Sequence, residues 1–136
     1  MNNVSNMEFL TVILLLSMIF CHIVDDYYLQ GFLASAKQKI WWKKNSPDKL
    51  YKNDYIMALF EHAFSWTFMI HVPIAVFILL GYLQYNTIAF VIVFVGNWVF
   101  HATIDHMKAN CHLINLVQDQ LLHIFQIYLT CLMYVS

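Results

Sequence analysis

Four stretches of this chain, about Met7–Val24, Tyr55–Leu83, Thr87–Ile104 and Leu113–Val135, are apolar and long enough to cross a bilayer as helices. A hydrocarbon core of about 30 Å takes about 20 helical residues. In lipid the backbone must satisfy its own hydrogen bonds, so each stretch folds as a helix. Composition agrees, since 61% of the 136 residues are hydrophobic and only 11% are charged, against about 25% in soluble domains. The length allows one domain, residues 1–136, with no room for a separate cofactor module. The predicted fold class is therefore all-α, a polytopic membrane protein with four transmembrane helices in an antiparallel bundle. The first stretch is expected to stay in the mature protein, because nothing basic precedes it and Asp25-Asp26-Tyr27-Tyr28 follow it where a cleavage site needs small residues. Pro73 is expected to kink the second span by freeing a carbonyl one turn back.

The seven lysines give the orientation. Lys37, Lys39, Lys43, Lys44, Lys49 and Lys52 fall in the connection at about 27–54, and Lys108 falls between spans three and four. The N-terminus, the Gly81–Asn86 turn and the C-terminus carry no Lys or Arg. The positive-inside rule puts both lysine-bearing connections in the cytoplasm and both termini outside, in a cytoplasmic (inner) membrane. Within 27–54, Phe32, Leu33, Ala36 and Ile40 recur at helical spacing and Trp41-Trp42-Lys43-Lys44 joins amphipathic rings to basic groups. This segment reads as an amphipathic helix lying on the bilayer, its lysines reaching anionic lipid. Ser46-Pro47 reads as a cap and first helical residue of a further short helix ending near Asn53-Asp54. Net charge is −1 and the lysines do not alternate with stacking aromatics, so nucleic-acid scaffold binding is not expected. Cys21, Cys111 and Cys131 show no paired spacing and imply no disulfide framework.

Histidines and carboxylates are costly within a membrane segment, so where they occur is informative. His22/Asp26, His101/Asp105 and Asp119/His123 are each four residues apart, and an i,i+4 pair shares one helix face. His22/Asp26 and His101/Asp105 close spans one and three, while His62 and Asp119/His123 open spans two and four. With alternating span directions, all four clusters fall at one depth, at the cytoplasmic end, in the manner of metal sites built inside helix bundles. The expected metal ligands are His22, Asp26, His62, His101, Asp105, Asp119 and His123. They suit zinc first, with manganese or iron as alternatives, and they outnumber the needs of one tetrahedral ion, so two ions are expected, or one ion with a carboxylate left as base. Asp26, Asp105 and Asp119 are the candidate catalytic carboxylates, and Lys108, three residues beyond Asp105, is expected to neutralise an anionic substrate oxygen. His71, deep beside Pro73, reads as satisfied by a freed carbonyl. His106 and His112 read as solvated, Cys111 as a weak candidate thiolate, Glu61 as a headgroup-level charge or nearby base, and Gln30 and Gln120 as groups that orient ligand carboxylates.

The runs His22-Ile23-Val24-Asp25-Asp26-Tyr27-Tyr28-Leu29-Gln30, His101-Ala102-Thr103-Ile104-Asp105-His106-Met107-Lys108 and Asp119-Gln120-Leu121-Leu122-His123 resemble the ordered signature H-x-x-x-D-F-x-L-Q, H-x-x-x-D-x-x-K, D-Q-x-x-H. That signature belongs to a family of small bacterial and phage membrane proteins known as domain of unknown function 3307. The resemblance covers nearly the whole chain and departs at Tyr27, where Phe is usual; His62 falls where the family has a lone histidine opening the second span. It implies the same functional positions without an established activity. A looser resemblance, in ligand logic alone, is to YdjM-type membrane-bound metal-dependent hydrolases and to the helical zinc phospholipase C and P1-nuclease group.

These readings favour a metal-dependent membrane hydrolase of phosphoester bonds, acting on a lipid-linked or nucleotide substrate, in which the ions activate water and stabilise the leaving oxygen. The same cluster in a cation or proton transporter or channel needs a polar path to the far side, for which the outer halves of the spans offer little beyond His71, Ser65, Thr67, Asn97 and Thr130. A non-catalytic phage effector would bind a host partner through the lysine-rich connection. The partners expected are the bilayer, an anionic lipid or nucleotide substrate, and a second copy if the chain forms a homo-oligomer.

Overall fold

The computed structural model describes residues 2–84 and 86–135, with side chains from residue 6 onward, and among these it is all-helical. Helix α1 runs Asn2–Val24 and passes into a π-helical turn, Asp25–Leu29. Two short helices, α2 (Leu33–Ala36) and α3 (Lys39–Asn45), and a 3₁₀ turn at Lys49–Tyr51 lead to α4 (Asp54–Leu79), α5 (Thr87–Ala109) and α6 (Leu116–Val135). Three stretches, Asn6–Leu29, Lys49–Leu79 and Thr87–Ala109, are long and apolar enough to cross a membrane. Helix α6 has 20 residues, but Gln118, Asp119, Gln120, His123 and Gln126 dilute its apolar character, and it is not among those three.

Local chemistry sets the helix ends. At α4, Gly81 takes the left-handed conformation (φ 77°). Its N–H donates to the Ile78 carbonyl at 3.0 Å and that of Tyr82 to the Phe77 carbonyl at 2.9 Å, which is the Schellman pattern, and the Phe77 and Tyr82 rings meet across it. Helix α5 opens on Asn86, whose side chain accepts from the Ala89 N–H at 3.0 Å. Helix α6 opens on a reciprocal box: the Asn115 side chain accepts from the Gln118 N–H and the Gln118 side chain from the Asn115 N–H, both at 3.0 Å. That box starts α6 at Leu116 rather than Leu113 and sets Asp119 in its first turn. Helix α5 continues past Ile104 to Ala109, so His101, Asp105 and Lys108 share one helix.

Each long helix touches two others, α1 packing on α4 and α6, and α5 on α4 and α6. Leu14, Met18, Trp66, Ile70, Ile74, Ile127 and Cys131 fill the core between α1, α4 and α6. A smaller core of Leu59, Ala63 and Ala102 joins α4 to α5. Large apolar side chains on the outside, such as Phe9, Phe20, Phe68, Ile88, Ile92 and Met133, are more than half exposed. The polar groups His22, His62, His101, Asp105, Asp119 and His123 are buried. This arrangement, polar within and apolar without, suits a hydrocarbon surround.

The connecting segment departs from one amphipathic helix. Gln38 is extended (φ −98°, ψ 120°) and divides α2 from α3. Asn110, at the end of α5, holds this break open: its side chain accepts from the Lys39 N–H at 2.7 Å and donates to the Lys37 carbonyl at 3.0 Å. The next helix is a single 3₁₀ turn capped by Asp48, whose carboxylate accepts from the Leu50 N–H at 2.8 Å, so Ser46-Pro47 does not cap it. Helix α4 runs through Pro73 to Leu79. His71 Nδ1 lies 2.7 Å from the Thr67 carbonyl, which is not the Met69 carbonyl that Pro73 leaves without its N–H donor.

Candidate metal centre

The end of α1, the start of α4, the last third of α5 and the start of α6 meet in a buried polar layer. The π turn explains how two consecutive aspartates enter it. In an α-helix Asp25 and Asp26 would point about 100° apart; the wider turn, closed by Gln30 N–H on the Asp25 carbonyl at 3.1 Å, brings both carboxylates inward. Such turns are frequent at functional sites. Asp25 is fully buried and accepts from Ser65 Oγ at 2.6 Å.

Asp105 stands at the centre. Its Oδ2 lies 3.2 Å from His62 Nε2 and 3.9 Å from His101 Nε2, and its Oδ1 lies 3.2 Å from His123 Nε2. His62 Nε2 is also 3.4 Å from Asp26 Oδ1 and 3.3 Å from His101 Nε2. His123 Nε2 is 3.5 Å from Asp119 Oδ1. Two groups could hold a metal ion, Asp26, His62 and His101, and His101, Asp105 and His123; within each, one donor atom per residue lies within 4.8 Å of the others. The oxygens Asp26 Oδ1 and Asp119 Oδ1 are buried without a hydrogen-bond donor, and an orphaned buried carboxylate oxygen is costly unless a cation or proton meets it. The donor set therefore fits a divalent ion.

His22 plays a different part from the other three imidazoles. Its Nδ1 accepts from Trp66 Nε1 at 2.7 Å and its Nε2 reaches Gln120 Oε1 at 3.1 Å, so both ring nitrogens are engaged. The Gln120 amide then donates to Asp119 Oδ2 at 3.0 Å and to Asp26 Oδ2 at 3.4 Å. His22 thus holds Gln120, and Gln120 holds two carboxylates. His22 and Asp119 lie outside both metal-competent groups, while Asp26, His62, His101, Asp105 and His123 lie within them.

Two lysines enter the layer. Lys108, expected to face substrate, has its Nζ 2.6 Å from Asp119 Oδ2 with its side chain about one-third exposed. Lys37, which the sequence reading left in the interfacial segment, is buried with its Nζ 2.6 Å from Asp105 Oδ2. A signal for it existed: Leu33, Ala36, Lys37 and Ile40 follow i, i+3, i+4, i+7 spacing, so Lys37 interrupts an apolar stripe. Asp25 and Trp66 were also missed. Trp66 packs its ring flat on His101, centroids 4.0 Å apart, and nothing in a sequence window marks a tryptophan for that role. Asp25 Oδ2 faces His62 Nδ1 at 4.0 Å, beyond hydrogen-bond distance, and neither atom has a hydrogen-bond partner.

With neutral imidazoles, the four carboxylates Asp25, Asp26, Asp105 and Asp119 exceed the two ammonium groups by two negative charges. One divalent cation, or two added protons, balances the layer. The remaining sequence candidates lie apart from it. His106 stacks on Tyr55, Cys111 and His112 are exposed, and Glu61 is exposed on α4. The Gln30 side chain donates to the Asp26 backbone carbonyl and to no carboxylate. No family model, no curated protein and no solved structure matches this chain.

Proposed function

We propose that the chain is a metal-dependent membrane hydrolase of phosphoester bonds, working at the cytoplasmic end of a four-span antiparallel bundle. The observation that carries this reading is the convergence of Asp26, His62, His101, Asp105 and His123 from four helices onto two overlapping donor groups. These five residues would hold the ion or ions, with zinc the best match to imidazole and carboxylate donors and manganese or iron as alternatives. Divalent ions there supply an activated water and charge stabilisation for the departing oxygen. Asp105 turns Oδ2 towards His62 and Lys37 and Oδ1 towards His123, and would be a ligand to any ion held there. Gln120 fixes Asp26 and Asp119, and Lys108, the most exposed charged group of the layer, meets the substrate's anionic oxygen.

The substrate we favour is a lipid-linked phosphoester rather than a nucleotide. A groove between α1 and α6 has apolar walls at Ile19, Ile23 and Ile124 and ends at His22, Gln120 and Tyr27, a gradient from chain to headgroup. The motif likeness to domain of unknown function 3307 bears on the positions and not on the reaction.

Metal content of the purified chain, compared with His101→Ala, tests the reading. One to two equivalents of transition metal in the wild type, lost on substitution, followed by metal-dependent release of phosphate from a lipid phosphoester, supports it. A chain that stays metal-free after reconstitution overturns it. A transporter reading draws on one further observation, a buried network in which Asn97 donates to Thr130 at 2.9 Å and Gln126 to Asn97 at 2.7 Å, deeper along α5 and α6. The buried apolar core of Trp66, Ile70 and Ile127 favours the one-sided site.

A further inference from the structure

Two of the seven lysines pair with buried carboxylates, whereas Lys39, Lys43, Lys49 and Lys52 form no ion pair among the described residues and line a single pocket of about 200 Å³. Lys39 and Lys43 stand four apart on α3, and like charges at that spacing repel. Lys49 and Lys52 flank the 3₁₀ turn and complete the lining. Asp48, the one acid there, commits an oxygen to the Leu50 N–H.

The walls are held in place. Trp42 Nε1 donates to the Ala36 carbonyl at 2.7 Å and its ring stacks on Tyr51, so α2, α3 and the turn are tied together behind the lysines. Lys39 Nζ also sits 5.8 Å above the Tyr55 ring. Beside the pocket Ile40 is 61% and Leu50 76% exposed, which places the mouth at an apolar boundary. Four lysines line one fixed frame with a single acid, Lys39 turning its ammonium over the Tyr55 ring, and clustered lysines at a bilayer surface attract acidic lipid.

We propose that this pocket is a phosphate-binding site separate from the His/Asp centre, and that it takes the phosphate-bearing headgroup of an anionic membrane lipid. Free polyphosphates carry the same chemistry, and the experiment separates the two sources. The full chain is placed in phosphatidylcholine nanodiscs with a rising share of phosphatidylglycerol, and the lipid retained on release is counted by native mass spectrometry. The wild type is expected to retain phosphatidylglycerol over phosphatidylcholine by about tenfold. The double variant Lys43→Gln with Lys49→Gln loses that preference. Lys44→Gln, which removes one charge outside the pocket, keeps it.

Pyrophosphate binding to the wild type in pure phosphatidylcholine discs, abolished in the double variant and not matched by a lipid preference, upholds the phosphate site and assigns it a soluble ligand. Equal loss in Lys44→Gln, or neither lipid preference nor pyrophosphate binding in the wild type, overturns the proposal. Metal content is read on the same samples. The double variant leaves it unchanged, so failure of this site and failure of the metal centre are told apart.

Discussion

Lys37 and Asp105 pair inside the buried layer, 2.6 Å between Nζ and Oδ2, and this pair helps decide how much positive charge the layer still needs. Replacing Lys37 with Met raises the excess negative charge from two to three and leaves Asp105 without its ammonium partner. Removing one member of a buried pair costs about 3–5 kcal/mol, so the metal-free variant is expected to melt well below the wild type. The same change removes a cation that competes for Asp105, so zinc should bind Lys37→Met at least as tightly and restore most of the lost stability. Melting curves with chelator and with zinc check this; a variant equally destabilised in both would show that Lys37 has only a packing role. At this scale the sequence was partly legible. Helical i,i+4 spacing suffices to find Asp26, His101, Asp105 and His123, because it depends on one helix at a time. Lys37, Asp25 and Trp66 depend on a break, a π turn and a neighbouring helix, none of which a local spacing encodes.

Among the elements, the α2–α3 break shows tertiary bonding overriding local pattern. Leu33, Ala36, Lys37 and Ile40 would make one amphipathic helix, yet the two hydrogen bonds of Asn110 to Lys37 and Lys39 bracket the extended Gln38 and let Lys37 turn inward. The Asn110→Ala variant should therefore free the segment. Each lost bond is worth about 1 kcal/mol, together enough to let the 37–39 segment open about thirty times more often. Lysine acetylation mapped by mass spectrometry reads the effect directly. In the wild type Lys37 should be protected relative to exposed Lys44, and in Asn110→Ala its labelling should rise by up to about thirtyfold. Labelling of Lys37 at the Lys44 rate in the wild type would contradict its buried position. The helix ends were more legible than this break: the Asn86 cap of α5 is local chemistry, and so is the Asn115/Gln118 box that opens α6.

For the whole molecule, the question is whether α6 crosses the membrane with the three helices that are apolar enough by composition. Its average is lowered in part by Asp119, His123 and Gln126, which are buried against the other helices. The outward face is mostly apolar, with Leu116, Val117, Leu121, Phe125, Tyr128, Leu129 and Met133 each more than 40% exposed and Gln118 exposed in the first turn. A helix of 20 residues is about 30 Å long, which equals the hydrocarbon thickness. Composition sums both faces, whereas the bilayer meets only one. In the proposed four-span reading, crossings of alternating direction bring the end of α1, the start of α4, the end of α5 and the start of α6 to one depth, where their polar groups meet. In a chain with Cys21, Cys111 and Cys131 changed to Ser, single cysteines at Lys44, Gln84 and Ser136 should divide into two sets under a membrane-impermeant maleimide. Gln84→Cys and Ser136→Cys label in intact cells, and Lys44→Cys labels only in inverted vesicles. Labelling of Ser136→Cys from the Lys44 side would leave α6 uncrossed and remove the antiparallel frame on which the cytoplasmic placement of the centre depends.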